Sequence, residues 1–158
     1  MSTAIELPYG RDAITFSCDR DLFSVISTRA VPEKPLTDFE VGAAFDSPIA
    51  SPPLDEVVDS TDSVLIVVSD ATRPTASAQV VNLLVRRLVQ MGVSPAQMGV
   101  IFATGIHRPV TEQEKLELLT PFIVQRLQIL EHDAYDPEKL TSFGTAESGG
   151  LQLELSRA

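Results

Sequence analysis

A single cysteine, Cys18, stands in a chain of 158 residues. That excludes an internal disulfide and any thiolate cage around a metal. No histidine or charge motif surrounds it in its period-2 stretch, so it reads as a buried, inert thiol. Positive charge is also scarce: 12 Lys and Arg face 22 Asp and Glu, a net charge of −10. Such a surface repels phosphate backbones, which argues against nucleic acid as a partner. No apolar run is long enough to span a bilayer, and the opening Met1-Ser2-Thr3-Ala4-Ile5-Glu6 is no signal peptide. The expectation is a cytoplasmic protein without membrane contact. Apolar residues make up 44% and charged residues 22%, proportions that favour a packed core over disorder.

Composition shifts near residue 60. Six of the eleven prolines, among them Pro32, Pro35, Pro48, Pro52 and Pro53, lie in the first 53 residues. Proline fixes φ and removes a donor, so this region reads as short extended pieces at Ala13–Ser17 and Leu22–Ser27, then an irregular wrap to about Leu54. From Pro35 to Thr72 there are eight acids and no Lys or Arg; their scatter suits a solvated face better than a cation site.

Beyond residue 60 the pattern sharpens. Ser63–Ser69 is a β-branched run of the kind buried on both faces of a sheet. Val80, Val81, Leu84, Val85, Leu88 and Val89 then recur at helical spacing, predicting a helix over Thr75–Met91 that turns Val81, Leu84, Val85 and Leu88 to the sheet. Pro74 suits its first turn and Gly92 its end. Met98–Ala103 reads as the next strand, Thr111-Glu112-Gln113-Glu114 as a capping box opening a helix through Leu119, and Leu127–Leu130 as a third strand. Gly144-Thr145 and Ser148-Gly149-Gly150 read as turns before a strand at Leu151–Leu155. This order predicts an α/β fold: a Rossmann-like, three-layer parallel-sheet domain over 1–158 with short extra strands from the N-terminal region. Residues 1–60 form the Pro-rich wrap and 61–158 the βαβ core.

Right-handed crossovers bring the carboxyl ends of parallel strands to one edge, where open α/β sheets bind ligands. The three strands end in Ser69-Asp70-Ala71-Thr72-Arg73-Pro74, Thr104-Gly105-Ile106-His107-Arg108-Pro109 and Glu131-His132-Asp133. Both histidines of the chain therefore fall just past strand ends. Arg73 can clamp a carboxylate or phosphate bidentately beside a helix start, with Asp70 and Thr72 as acceptor and hydroxyl. A cap role accounts for Asp70 or Thr72 but not for an arginine at a helix N-terminus, where the dipole disfavours cations. Gly105 permits a tight turn or a close ligand approach, and Thr104 precedes it. His107 suits proton transfer near neutrality, and Asp70 on the neighbouring strand is placed to orient it. Arg108 is either an anion contact or the partner of an acid. A structural hydrogen-bonding role fits His132 better than catalysis, because adjacent side chains diverge.

The pair DATRP (Asp70–Pro74) and ATGIHRP (Ala103–Pro109), with one helix and one strand between, resembles the nickel-pincer lactate racemase family. The likeness extends to IELPYG (Ile5–Gly10), DSPIASPPL (Asp46–Leu54) and GTAESGG (Gly144–Gly150). It implies a racemase or epimerase of 2-hydroxy acids, built from two α/β domains around a pyridinium-derived nucleotide that carries nickel. In that resemblance His107 matches an acid/base histidine acting on the substrate hydroxyl. Arg73 matches an arginine that holds the substrate carboxylate or the cofactor, and Asp70 and Thr72 have positioning roles. The family's cofactor-linking lysine, nickel-ligating histidine and second catalytic histidine have no counterpart, and none of Lys34, Lys115 and Lys139 matches the lysine motif. Thr120-Pro121 also departs, where a glycine is usual. The resemblance thus implies an N-terminal portion, inactive alone and holding no cofactor by itself, whose partners are a small anionic 2-hydroxy acid and the missing C-terminal part. Two other readings compete: a non-catalytic anion-binding module, and a metal-dependent hydrolase on His107, His132 and aspartates, which lacks metal-ligand spacing.

Overall fold

The computed structural model describes residues 2–19, 21–26, 34–73, 75–145 and 152–156. The chain divides into two compact units, Met1–Pro35 and Leu36–Ala158.

In the first unit, β1 (Ser2–Tyr9) and β2 (Asp12–Asp19) form an antiparallel hairpin in register from Ser2 opposite Asp19 to Tyr9 opposite Asp12. Gly10, at φ +64°, supplies the left-handed residue of the two-residue turn. The strand expected at Ala13–Ser17 is therefore longer and has a partner that composition did not reveal. Leu22–Ile26 forms no strand, contrary to expectation, and Ser27 lies outside the described residues. Cys18 is buried, as its sequence context predicts.

The second unit opens with helix, where the proline-rich stretch suggested an irregular wrap. Thr37 caps α1 (Asp38–Asp46) through a full capping box with Glu40, and α2 (Leu54–Val57) adds one turn after Pro53. Prolines at 35, 48, 52 and 53 bound these helices and do not interrupt them. Next come β3 (Val64–Ser69), α3 (Ser77–Gln90), β4 (Met98–Ala103), α4 (Glu112–Val124) and β5 (Gln128–Leu130). The three strands are parallel in the order β3-β4-β5, as the strand–helix alternation predicts. An antiparallel pair, β6 (Leu140–Thr145) and β7 (Gln152–Ser156), follows, bulged between Ser142 and Gly144. Gly144-Thr145 thus belongs to a strand and not to a turn. Residues 146–151, where the remaining turn was expected, lie outside the described residues.

The two crossover helices share one face of the sheet. Ile66, Val68, Val100 and Phe102 meet Val81, Val85 and Leu88 of α3 and Leu119 and Ile123 of α4 in one buried cluster. The opposite face is barer: Leu65 and Val67 are 44% and 65% exposed, so β3 is not buried on both faces among the described residues. Its apolar run reflects β-branched propensity as much as burial. Two details of α3 also differ from expectation. It begins at Ser77 behind Ala76, which is held at φ +52°, and Leu84 packs only partly against the core where Leu88 is 1% exposed. Pro74 lies outside the described residues. Gly92 ends the helix as expected: its N–H reaches the Val89 carbonyl while that of Val93 reaches Leu88, the paired bonds of a Schellman stop.

Helix α4 opens on the predicted Thr111–Glu114 box but continues past Leu119. It does so through a kink at Thr120, whose φ +72° and ψ 152° are non-helical, before Pro121 restarts the turn. Proline after Thr120 forces extended ψ on it, and the absent Pro121 N–H costs the helix nothing at a new first turn.

Candidate functional site

Asp70 follows β3 at the carboxyl edge of the sheet, and it is buried, 5% exposed. Its Oδ1 accepts from the backbone N–H of Thr72 at 3.1 Å and from the Thr72 hydroxyl at 2.6 Å. Its Oδ2 lies 2.6 Å from His107 Nδ1, which reaches over from the end of the adjacent β4. The two segments that sequence analysis singled out are therefore joined by a direct hydrogen bond between side chains 37 residues apart. The Thr72 hydroxyl first, and His107 second, hold the Asp70 carboxyl down at about 2, below its ordinary 3.8. At neutral pH the carboxylate is ionised and acceptor-only. His107 must then donate through Nδ1, which leaves Nε2 facing outward on an imidazole whose side chain is 52% exposed.

The loop carrying His107 is a tight turn. The His107 N–H donates to the Thr104 carbonyl at 3.0 Å, and Gly105 between them sits at φ +55°. A Cβ added at Gly105 meets nothing within 4 Å, so the turn geometry alone demands glycine there. Thr104 is buried, 5% exposed, and its hydroxyl has no hydrogen-bond partner among the described residues. Arg73 is exposed, its N–H bonded to the Asp70 carbonyl; among the described residues its guanidinium pairs with no acid. It stands near the start of α3, whose first-turn N–H groups lack a side-chain cap.

Arg108 resolves towards an acid partner. Its Nη1 and Nη2 donate to Glu114 Oε2 and Oε1 at 2.8 and 2.7 Å. Of the site residues expected from sequence, Asp70, Thr72 and His107 form one hydrogen-bonded set, Thr104 and Gly105 shape the loop, and Arg73, at the same edge, has no acid partner among the described residues. His132 lies apart. It lines a pocket of about 10 Å³ with Thr104, Lys115 and Glu131 and makes no side-chain hydrogen bond among the described residues, contrary to the role expected of it. Sequence reasoning missed Lys115, 7% exposed and bonded to Glu112 at 2.8 Å and Glu131 at 3.0 Å. The spacing Glu112-x-x-Lys115 was its one legible signal. Among the described residues no three His, Cys, Asp or Glu side chains converge to hold a metal ion, and no helix is long and apolar enough to cross a membrane.

Residues 9–158 match the family profile of the lactate racemase N-terminal domain. This chain belongs to that family. The lactate racemase of Lactiplantibacillus plantarum is 33% identical over 151 residues, covering 93% of this chain and 35% of the relative. That of Thermoanaerobacterium thermosaccharolyticum is 30% identical over 156 residues, covering 97% of this chain and 36% of the relative. The solved lactate racemase apoprotein from the latter organism superposes with a TM-score of 0.74 at 26% identity, over 98% of this chain and 36% of its own. A Thermotoga maritima structure, TM-score 0.62 at 22% identity over 81% of this chain and 32% of its own, shares the fold. The chain thus spans about a third of the length of these relatives. The resemblance carried by the DATRP and ATGIHRP segments is the relationship these matches show.

Proposed function

We propose that this lactate racemase N-terminal domain supplies one catalytic wall of a 2-hydroxy-acid racemase or epimerase, with His107 as an acid/base group on the substrate hydroxyl. The observation that carries the reading is the 2.6 Å bond between His107 Nδ1 and the ionised Asp70. A buried carboxylate behind an imidazole fixes its tautomer and stabilises the imidazolium formed when Nε2 takes a proton. Nε2 is the atom that receives the hydroxyl proton of one enantiomer and returns it when the other reacts. Arg73, free of any acid partner among the described residues, is the clamp for the substrate carboxylate or an anionic cofactor. Thr72 acts through Asp70, holding its second oxygen.

The reaction inverts a carbon that bears a hydroxyl and a carboxylate, and the family resemblance assigns its redox part to a nickel-pincer nucleotide. Nickel does not fit this chain as a site of its own, since no ligand cluster is present among the described residues. The chain's share is proton transfer and anion binding. A second base, the metal ligands and the cofactor's lysine belong to a part with no counterpart in these 158 residues, consistent with a span of 35% of the relatives.

In a full-length protein carrying its cofactor, His107→Ala lowers turnover by roughly 10²–10⁴-fold while nickel content stays at the parent level. Racemisation is followed with a chiral assay and nickel by atomic absorption. Undiminished turnover in that variant removes His107 from the chemistry, and racemisation by the 158-residue chain alone overturns the reading that it supplies only one wall of the site.

A further inference from the structure

Three side-chain contacts fasten the His107 loop among the described residues: His107 to Asp70, Arg108 to Glu114, and a long 3.5 Å bond from the Tyr135 hydroxyl to the Ile106 carbonyl; only the first has a place in proton transfer. The shortest of the others is that of Arg108. Its guanidinium lies in a two-pronged fork over Glu114, at 2.7 and 2.8 Å, and Nη1 also donates to the Pro109 carbonyl at 3.0 Å. Glu114 is already committed to the start of α4: its Oε2 accepts from the Thr111 N–H at 2.9 Å and from the Thr111 hydroxyl at 3.0 Å. One carboxylate, 21% exposed, thus receives two bonds from the helix cap and two from the residue after His107.

Exposed ion pairs ordinarily contribute little, because ordering two long side chains offsets the attraction. Here the capping box has already ordered the acid, and the planar fork admits one relative orientation. The pair therefore ties the strand-end loop to the rigid first turn of α4. The chemistry of the pair also leaves Arg108 poorly placed to hold a substrate anion, since its donors are turned to Glu114.

We infer that Glu114, acting through Arg108, is a positioning residue that sets the loop so that the His107 imidazole meets Asp70. Its importance for turnover rests on the function proposed above, but the geometry does not. The competing role, Arg108 as a direct anion contact, predicts no part for Glu114.

The test uses the 158-residue chain with ¹⁵N-labelled histidine, read by NMR at alkaline pH. In the parent, His107 is held in the Nδ1–H tautomer by Asp70. In Arg108→Gln and in Glu114→Gln the ratio of Nδ1–H to Nε2–H falls on the order of tenfold, and the double variant falls no further, because both changes remove one interaction. His132, which has no part in the fork, keeps its tautomer ratio. The inference is overturned if Glu114→Gln leaves the His107 ratio unmoved, if the two effects add in the double variant, or if the melting temperature drops while His107 stays as in the parent. Full activity in a His107→Ala enzyme removes His107 from the chemistry and leaves this result standing, so the two failures are separable.

Discussion

At the scale of single residues, the site is organised around one buried acid. Asp70 is ionised because its oxygens accept from Thr72 and His107, and that ionisation dictates which nitrogen of His107 carries the proton. Its pairing with His107 was legible in the sequence, because parallel neighbours end on one edge and both residues lie just past a strand. The fork of Arg108 with Glu114 was not, since an arginine between a turn and a helix start serves an anion or an acid equally well on paper. Thr104 was legible as a member of the loop but not as a buried hydroxyl without a partner among the described residues, which is a consequence of packing. A hydroxyl buried unpaired forfeits its hydration, a cost of about 1–3 kcal/mol. Thr104→Val keeps the β-branched shape and removes that hydroxyl. The variant is expected to melt at or above the parent temperature, by calorimetry on the 158-residue chain. A clear drop in melting temperature means the hydroxyl has a partner of its own.

At the scale of elements, periodicity found β3, β4, β5 and the two crossover helices, because each carries a run long enough to show its period. Four elements, β1, α1, α2 and β6, escaped it, two of them for reasons their residues show. Helix α1 hides among prolines, although Thr37-Asp38-Phe39-Glu40 spells a capping box and the box forms. The β1 strand escaped because its alternation is weak and most of its residues are exposed. The kink in α4 is a third case, where local chemistry and tertiary packing disagree. Thr120, at φ +72° and ψ 152°, occupies a region that only glycine enters without strain, a cost of about 1–3 kcal/mol. Its hydroxyl accepts from Asn82 Nδ2 at 2.9 Å, which tethers the kink to α3. Ordinary helix positions favour Ala over Gly by about 1 kcal/mol. At Thr120 the order reverses. Thr120→Ala keeps the strain and loses the tether, so it unfolds at lower urea than the parent, and Thr120→Gly exceeds Thr120→Ala by about 1–3 kcal/mol. Equal midpoints for the two variants would mean the backbone relaxes and stores no strain.

Across the described residues, the strongest perturbations of acidity gather where the sheet edge meets the start of α4. The Asp70 carboxyl is held at about 2 against an ordinary 3.8, by Thr72 and then His107. The Glu114 carboxyl is held at about 2 against 4.5, by Arg108 and then the Thr111 N–H. Both folded values lie below the unfolded ones, so the unfolded chain binds more protons over this window and stability rises with pH through it. Their contribution is complete above about pH 5 and is lost as pH falls through 4.5 and 3.8 towards 2. Glu40 and Asp59, lowered by hydrogen bonds from Thr37 and Thr61, add to the same trend. Lys115 works at the other end of the scale. Glu112 and Glu131 raise its ammonium above 10.5, so its contribution is present at neutral pH and lost only as pH climbs past that value. The expected outcome is a urea midpoint that holds steady from pH 8 to about 5 and then falls steeply. Asp70→Asn with Glu114→Gln removes the two largest contributors and flattens the acid limb while leaving the neutral plateau lower than the parent's. An acid limb as steep in that double variant as in the parent places the proton-linked stability elsewhere in this acidic chain, and with it the claim that the site edge is its most strongly coupled region.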